Sequence, residues 1–164
     1  MEGIRYCQAG TGHGPWWYAW SIDGVVASAQ GWLSEDEFLE RLGAIGATVP
    51  TRGSAHEIPE HAGPTRLSGA FQRRVLEECA RIPEGEVRTY GQLAKACGNP
   101  RSARAVGSAM AMNPCPGVVP CHRVVRADGQ IGHYSAGGSE QKKRMLKAEG
   151  VSIVNGRVRI KGER

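Results

Sequence analysis

From Ile4 to Trp32 the apolar residues fall in short clusters, Trp16-Trp17-Tyr18-Ala19-Trp20 and Gly24-Val25-Val26-Ala27, around the turn-forming pair Asp23-Gly24. Aromatic and β-branched runs of this length, bounded by turn residues, predict two or three β-strands. The period then changes. Ser34 with Glu37 forms a capping box, and Phe38, Leu39, Leu42 and Ile45 recur at a spacing that puts them on one helical face. Thr48 to Thr65 is rich in Pro, Gly and His, has no periodicity, and reads as a linker.

The second half is more sharply punctuated. Phe71, Val75, Leu76 and Cys79 mark the inner face of a helix that ends before Pro83. A turn at Pro83-Glu84-Gly85 precedes a second capping box, Thr89 with Gln92, which opens a short helix through Leu93 and Ala96. Gly98-Asn99-Pro100 breaks it, and another helix runs from about Ser102 to Met112, stopping at Asn113-Pro114. Two short helices around a Gly-containing break have the pattern of a helix-turn-helix, although paired helices occur in any mixed fold. Val118-Val119 and Arg123-Val124-Val125 read as strand flanking Pro120-Cys121-His122, with a turn at Asp128-Gly129. After a Gly-rich loop, Gly132 to Gly138, Ser139 is placed to cap a helix to Glu149, with Gly150 as its stop. The alternation of Val151 to Ile160 about Asn155-Gly156 predicts a hairpin.

With 164 residues the chain has room for one domain, or one with a smaller companion. A chain of this size buries roughly 70% of its unfolded surface, so it needs neither metal nor disulfide to hold a core. Its 40% hydrophobic and 23% charged residues exclude a disordered chain. No apolar run approaches the roughly 20 residues of a membrane span, so no membrane partner is expected. Nor does Met1-Glu2-Gly3-Ile4-Arg5-Tyr6-Cys7 read as a secretory signal, and a cytoplasmic location (nuclear in a eukaryote) is expected. Lys and Arg number 21 against 16 acidic residues, a net charge of +5 that lies mostly from Arg101 onward. Such a balance favours polyanionic partners such as nucleic acid, without singling them out. Five cysteines, odd in number and irregularly spaced, point to free thiols, one of which is a candidate nucleophile.

Two segments carry candidate chemistry. The later helix of the pair reads Ala103-Arg104-Ala105-Val106-Gly107-Ser108-Ala109-Met110-Ala111, with one long polar side chain among small ones. Helices that read base edges in the major groove carry several Arg, Asn or Gln. Small residues instead allow close approach, either to a neighbouring helix or to a minor groove that Arg104 would enter. Cys121 stands beside His122, and an imidazole activates a thiol by taking its proton. Against this, neighbouring residues of an extended strand point to opposite faces, which favours a turn or a bridging water over direct contact. Taken by itself, a lone cysteine reads first as an inert, buried apolar residue. Cys115, Cys121 and His122 lack the paired spacing of a zinc site, and no metal is expected.

Pro120-Cys121-His122-Arg123-Val124, preceded by Asn113-Pro114 and Arg104-Ala105-Val106-Gly107, resembles the signature of the O6-alkylguanine-DNA alkyltransferases, the methylated-DNA–protein-cysteine methyltransferases. Gly85-Glu86-Val87, Thr89-Tyr90, Gly132 with Tyr134, and Glu149-Gly150 extend the likeness, in order, from about Phe71 to Gly150. The resemblance implies an α+β fold: a β-rich N-terminal domain with linker (residues 1–64) and a mainly helical DNA-binding and alkyltransferase domain (residues 65–164). It further implies repair of double-stranded DNA containing O6-alkylguanine, with O4-alkylthymine a second candidate, by a monomer without cofactor.

In that family the helix-turn-helix docks in the minor groove and the damaged nucleotide is flipped into a pocket. Arg104 matches the residue that fills the vacated stack, with Arg101, Ala105, Gly107 and Ser108 on the DNA. Cys121 matches the nucleophile, His122 the base acting through water, and Glu149 the group that orients it. Tyr90 matches the donor to the leaving guanine, and Asn113 the hinge. Met110, Val124, Tyr134 and Ser135 match the pocket, although the loop Tyr134 to Gly138 is one residue longer than the common form. The N-terminal zinc site of some members is not expected, with Cys7 the only cysteine in the first 70 residues. Two rivals stand beside this reading: an alkyltransferase-like protein that binds lesions without repairing them, and a thiol hydrolase using Cys121 and His122.

Overall fold

The computed structural model describes residues 3–11, 14–21, 24–30, 33–44, 50–54 and 69–160. Asp23, Trp32, Ile45 and most of the Thr48–Thr65 linker lie outside them, as does the expected boundary at 64/65. By its contacts the chain divides into two compact units, one of Met1–Leu67 with Pro114–Val118 and one of Ser68–Asn113 with Val119–Arg164. The fold is α+β.

In the first unit, strands β1 (Arg5–Thr11), β2 (Gly14–Ser21) and β3 (Gly24–Gln30) form an antiparallel meander. A short β4 (Thr51–Arg52) pairs in parallel with β1, giving the order β3-β2-β1-β4. Helix α1 (Glu35–Ala44) opens where the sequence predicts: the Ser34 amide donates to Glu37 at 2.8 Å, and the Glu37 amide returns a bond to the Ser34 hydroxyl at 3.3 Å. Its inner residues Phe38 and Leu42 join Ile4, Tyr6, Trp17, Ala19, Ala29 and Leu33 in one core. Trp17 stacks on Phe38 with centroids 5.6 Å apart, and its indole nitrogen donates to the Leu33 carbonyl. Strand β2 is buried on both faces, so Trp16, Tyr18 and Trp20 are enclosed as well. The segment Pro114–Val118 supplies part of that cover. The Ser28 amide donates to the Pro114 carbonyl and its hydroxyl to the Pro116 carbonyl, at 2.8 and 2.6 Å.

The second unit begins with α2 (Ala70–Ala80), which buries Val75, Leu76 and Cys79. The helix-turn-helix follows as α3 (Tyr90–Ala96) and α4 (Ala103–Ala111), both packed on α2. β5 (Arg88–Thr89) pairs in parallel with β6 (Val124–Val125), which brings the start of α3 beside the strand that follows the Cys121 motif. Helix α5 (Gly138–Ala148) packs through Leu146 on Val125, Ile131 and Val158. The tail forms the predicted hairpin, β7 (Ile153–Val154) and β8 (Arg157–Val158), with Asn155 and Gly156 both at positive φ in the turn.

Two local expectations are corrected. Of the strands expected to flank Pro120-Cys121-His122, only Val124-Val125 forms: Val118-Val119 does not, and Arg123 joins a 3-10 turn with Cys121 and His122. Pro120, at φ −79° and ψ 59°, makes an inverse γ-turn in which the Cys121 amide donates to the Val119 carbonyl at 2.8 Å. Cys121–Arg123 then form one 3-10 turn, because the ring that fixes the Pro120 φ also presents its carbonyl to the Arg123 amide at 2.9 Å. Ser139 does not cap α5. Gly137 does so in a left-handed conformation (φ 118°), and the Ser139 hydroxyl reaches back to the Gly132 carbonyl at 3.0 Å, tying the pocket loop to the helix.

Candidate active site

Each chemically capable side chain of the second unit is placed by a local device. The Thr89–Gln92 capping box is complete, with amide-to-side-chain bonds of 2.8 and 3.1 Å, and it launches α3 so that Tyr90 occupies the first turn. At the end of α4, the buried Asn113 amide donates to the Val119 carbonyl and to the Cys121 sulfur, both at 3.2 Å. One side chain therefore holds both the γ-turn and the thiol. Glu149 caps α5, and Gly150, at φ 80°, closes a Schellman motif: its amide donates to Lys147 and that of Val151 to Leu146.

The Cys121 sulfur reaches a hollow of about 110 Å³ lined by Tyr90, Gly107, Met110, Ala111, Cys121, His133, Tyr134 and Ser135. Burial pushes the thiol pKa up, while the Asn113 amide and the Lys142 ammonium pull in the opposite direction without prevailing. The resting sulfur is thus a protonated thiol, and it needs a base before it can attack. Tyr134 is buried beside it, and its hydroxyl interacts with the sulfur without reaching the geometry of a full hydrogen bond. Burial also raises Tyr90, whose hydroxyl stays a donor at neutral pH.

His122 is the candidate base. It is enclosed, with its ring edge-on to Tyr134 and Nε2 2.7 Å from the Glu149 carboxylate. In the neutral tautomer that donates from Nε2, the lone pair sits on Nδ1, which is what proton abstraction requires. Arg123 grips the same carboxylate with Nε and a terminal nitrogen, at 2.8 and 2.9 Å, and donates to the Ile82 carbonyl at 2.6 Å. Burial alone would raise the Glu149 pKa; the bonds from His122 and Arg123 outweigh it and hold the carboxyl down to about 2. A carboxyl depressed in the fold stabilises it above its unfolded pKa of 4.5, and loses that contribution as pH falls toward 2. Glu149→Gln should therefore flatten the acid limb of stability, removing about 3 kcal/mol of pH dependence between those values. Urea unfolding at stepped pH measures it, and a variant as acid-sensitive as the parent would contradict the assignment.

Of the residues expected at the site, the fold brings Cys121, Tyr90, Met110, Tyr134 and Ser135 to one hollow, with His122, Glu149 and Asn113 behind the sulfur. Val124 lies wholly buried in β6 and is not among the lining residues. Gly107, expected on the DNA side, lines the hollow as well. Arg101, Arg104, Ala105 and Ser108 are exposed, whereas Val106, Ala109 and Met110 pack inward, so the helix presents one small-residue face that carries Arg104, with Arg101 in the turn before it. Sequence reasoning gave no role to Arg123, Lys142, Ala111 or His133. For Lys142 a signal existed. Lys142, Met145, Leu146 and Glu149 fall at i, i+3, i+4 and i+7, so both charges sit on the apolar stripe of α5.

Among the described residues, no group of three or more His, Cys, Asp and Glu is arranged to hold a metal ion. None of the described helices is long and apolar enough to cross a membrane.

The arrangement has clear relatives. Residues 70–151 match the model of the 6-O-methylguanine DNA methyltransferase DNA binding domain. The methylated-DNA–protein-cysteine methyltransferase of Mus musculus is 47% identical over 95 residues, 57% of this chain and 45% of that protein. That of Mycobacterium leprae is 41% identical over 124 residues, 74% of this chain and 72% of that protein. The crystal structure of Mycobacterium tuberculosis OGT in complex with DNA superposes with a TM-score of 0.66 at 29% identity, covering 89% of this chain and 93% of that one. The match spans about half the length of the first curated relatives. Half of this chain fits the family model, most of it shares the fold of a solved member, and the matched stretch contains the buried cysteine with the groups around it, so the chain belongs to the O6-methylguanine-DNA methyltransferase family.

Proposed function

We propose that the protein repairs O6-alkylguanine in double-stranded DNA by moving the alkyl group once, and irreversibly, to Cys121. The observation that carries this reading is a thiol facing a hollow while an imidazole–carboxylate pair stands behind it. The flipped base enters against Met110, with Tyr134 and Ser135 beside O6. His122 takes the sulfur proton through a water, and Glu149 keeps the imidazole oriented. The thiolate attacks the alkyl carbon in line, the C–O6 bond breaks, and the Tyr90 hydroxyl stabilises the charge on the departing guanine.

Docking is through the exposed face of α4, whose small side chains suit close approach to a minor groove and whose Arg104 fills the stack that the base leaves. Arg101 adds charge toward the phosphates. The protein acts as a monomer, as the resemblance implies. The thioether product is a poor leaving group, so each molecule reacts once and needs no added cofactor.

Incubation with duplex O6-methylguanine DNA is expected to add one methyl group, about 14 Da, at Cys121. Intact-mass and peptide analysis read it directly. Tight lesion binding with no adduct would favour the lesion-binding rival, and repeated turnover of an ester would favour the hydrolase.

A further inference from the structure

The second unit holds another, larger hollow, of about 490 Å³, which the reaction above does not use. Residues 85–88 form one wall and residues 150–152 the other, with Gln92 and Arg159 completing the lining. Gly85, at φ 79°, joins the walls: a side chain there would meet the Glu149 carbonyl oxygen at 3.1 Å. Val87 and Val151 anchor them on the core of Val125, Ile131, Leu146 and Val158. Two guanidinium groups, Arg88 and Arg159, line this space with one carboxylate, Glu86. Among the described residues neither arginine has a hydrogen-bond or ion-pair partner, whereas Arg81, Arg123, Arg126 and Arg157 of the same unit each hold a carboxylate or a carbonyl. The lining therefore carries excess positive charge, and its apolar walls strengthen the field. Its place is equally informative. Thr89 is extended and buried, so Arg88 and Tyr90 leave the chain on the side opposite its side chain, roughly 7 Å apart. Tyr90 lines the hollow at Cys121, so the two hollows flank one stretch of backbone.

We propose that this second hollow seats backbone phosphates of the DNA strand that carries the lesion, with Arg88 and Arg159 as the cations that pair with them. This rests on the reading under Proposed function. A nucleotide whose base enters the hollow at Cys121 stays tied to its neighbours by phosphodiesters, so its strand runs past Tyr90 and on toward Arg88. A guanidinium offers a phosphate two parallel N–H donors, and the Ser152 hydroxyl and Gln92 amide complete a polar lining. Such contacts fix the register of the strand and add affinity without reading its sequence. The docking surface then extends from the face of α4 across the start of α3 to the tail hairpin. Arg159 stands one residue past β8 and beyond residues 70–151, the stretch that matches the family's DNA binding domain.

The test follows binding of the full chain to undamaged and O6-methylguanine duplexes by fluorescence anisotropy across a salt series. The variants are Arg88→Gln, Arg159→Gln, the two combined, and Arg144→Gln, which removes an exposed arginine of α5 outside the hollow. Near-UV circular dichroism checks that each is folded. Each phosphate contact releases counterions, so each single variant at the hollow is expected to lower the slope of log K against log salt by about one, and the double by about two. The double variant should bind both duplexes roughly ten- to a hundredfold more weakly at about 0.1 M salt, while Arg144→Gln keeps the parent slope. Should Arg88→Gln fail to fold, Arg159→Gln, at an exposed position, carries the test alone. An unchanged slope in the double variant would overturn the proposal, as would an equal fall in Arg144→Gln. GMP binding that the double variant loses while its DNA slope matches the parent would also overturn it, and assign the hollow to a free nucleotide. A slope that depends on Arg88 and Arg159 in a parent that forms no adduct at Cys121 would instead sink the repair reading and leave the phosphate seat standing.

Discussion

Cys121→Ser is expected to abolish alkyl transfer, lowering the single-turnover rate roughly a thousandfold or more while leaving binding to alkylated duplex DNA largely intact. The site is built around sulfur. At rest the thiol is neutral, and the Asn113 amide at 3.2 Å and the Lys142 charge act by favouring its anion. A hydroxyl is far harder to ionise, and one imidazole cannot make up the difference in an enclosed position. The volume hardly changes, so the fold and the exposed face of α4 should persist. Stopped-time mass analysis with a labelled oligonucleotide, alongside a binding titration, separates the two effects. A serine variant that transfers within tenfold of the parent rate would show that another residue accepts the group.

Arg104→Ala is expected to slow repair in duplex DNA by roughly ten- to a hundredfold while leaving reaction with free O6-benzylguanine nearly unchanged. The side chain is exposed on α4 and is not among the residues that line the hollow. Extruding a base costs a few kcal/mol, and a guanidinium left in the gap offsets part of that cost. A free base needs no extrusion, so its reaction reports the chemistry alone. The ratio of the two rates is the measurement. Equal losses on both substrates would mean that Arg104 supports the helix rather than the flipped state.

Much of the architecture was legible because its causes are local. Both capping boxes close within four residues, and the Asn155-Gly156 hairpin needs only two residues at positive φ. Phe38 and Leu42 of α1 and Val75, Leu76 and Cys79 of α2 bury as their spacing predicts, while Leu39 and Phe71 of the same stripes are half-buried. Other features were misread because a local preference met a competing one. Val118-Val119 suggests a strand before Cys121, yet Pro120 bends the backbone into a turn that Asn113 then braces. Ser139 is a good capping residue, but Gly137 reaches the left-handed conformation at less cost, and the serine hydroxyl is taken by Gly132. The burial of β2 on both faces follows from neighbours distant in sequence, as the Ser28 bonds to Pro114 and Pro116 illustrate.

The linear order of residues determined most of the elements, the family and the candidate nucleophile, because each depends on side chains a few positions apart. Only the tertiary structure decided how that nucleophile is served. His122 and Glu149 lie 27 residues apart, Arg123 reaches Ile82 across 41, and Lys142 meets Val124 across 18. Such pairings leave little periodic trace, since a buried ion or hydrogen bond depends on position and dielectric surroundings that exist only once the helices have packed.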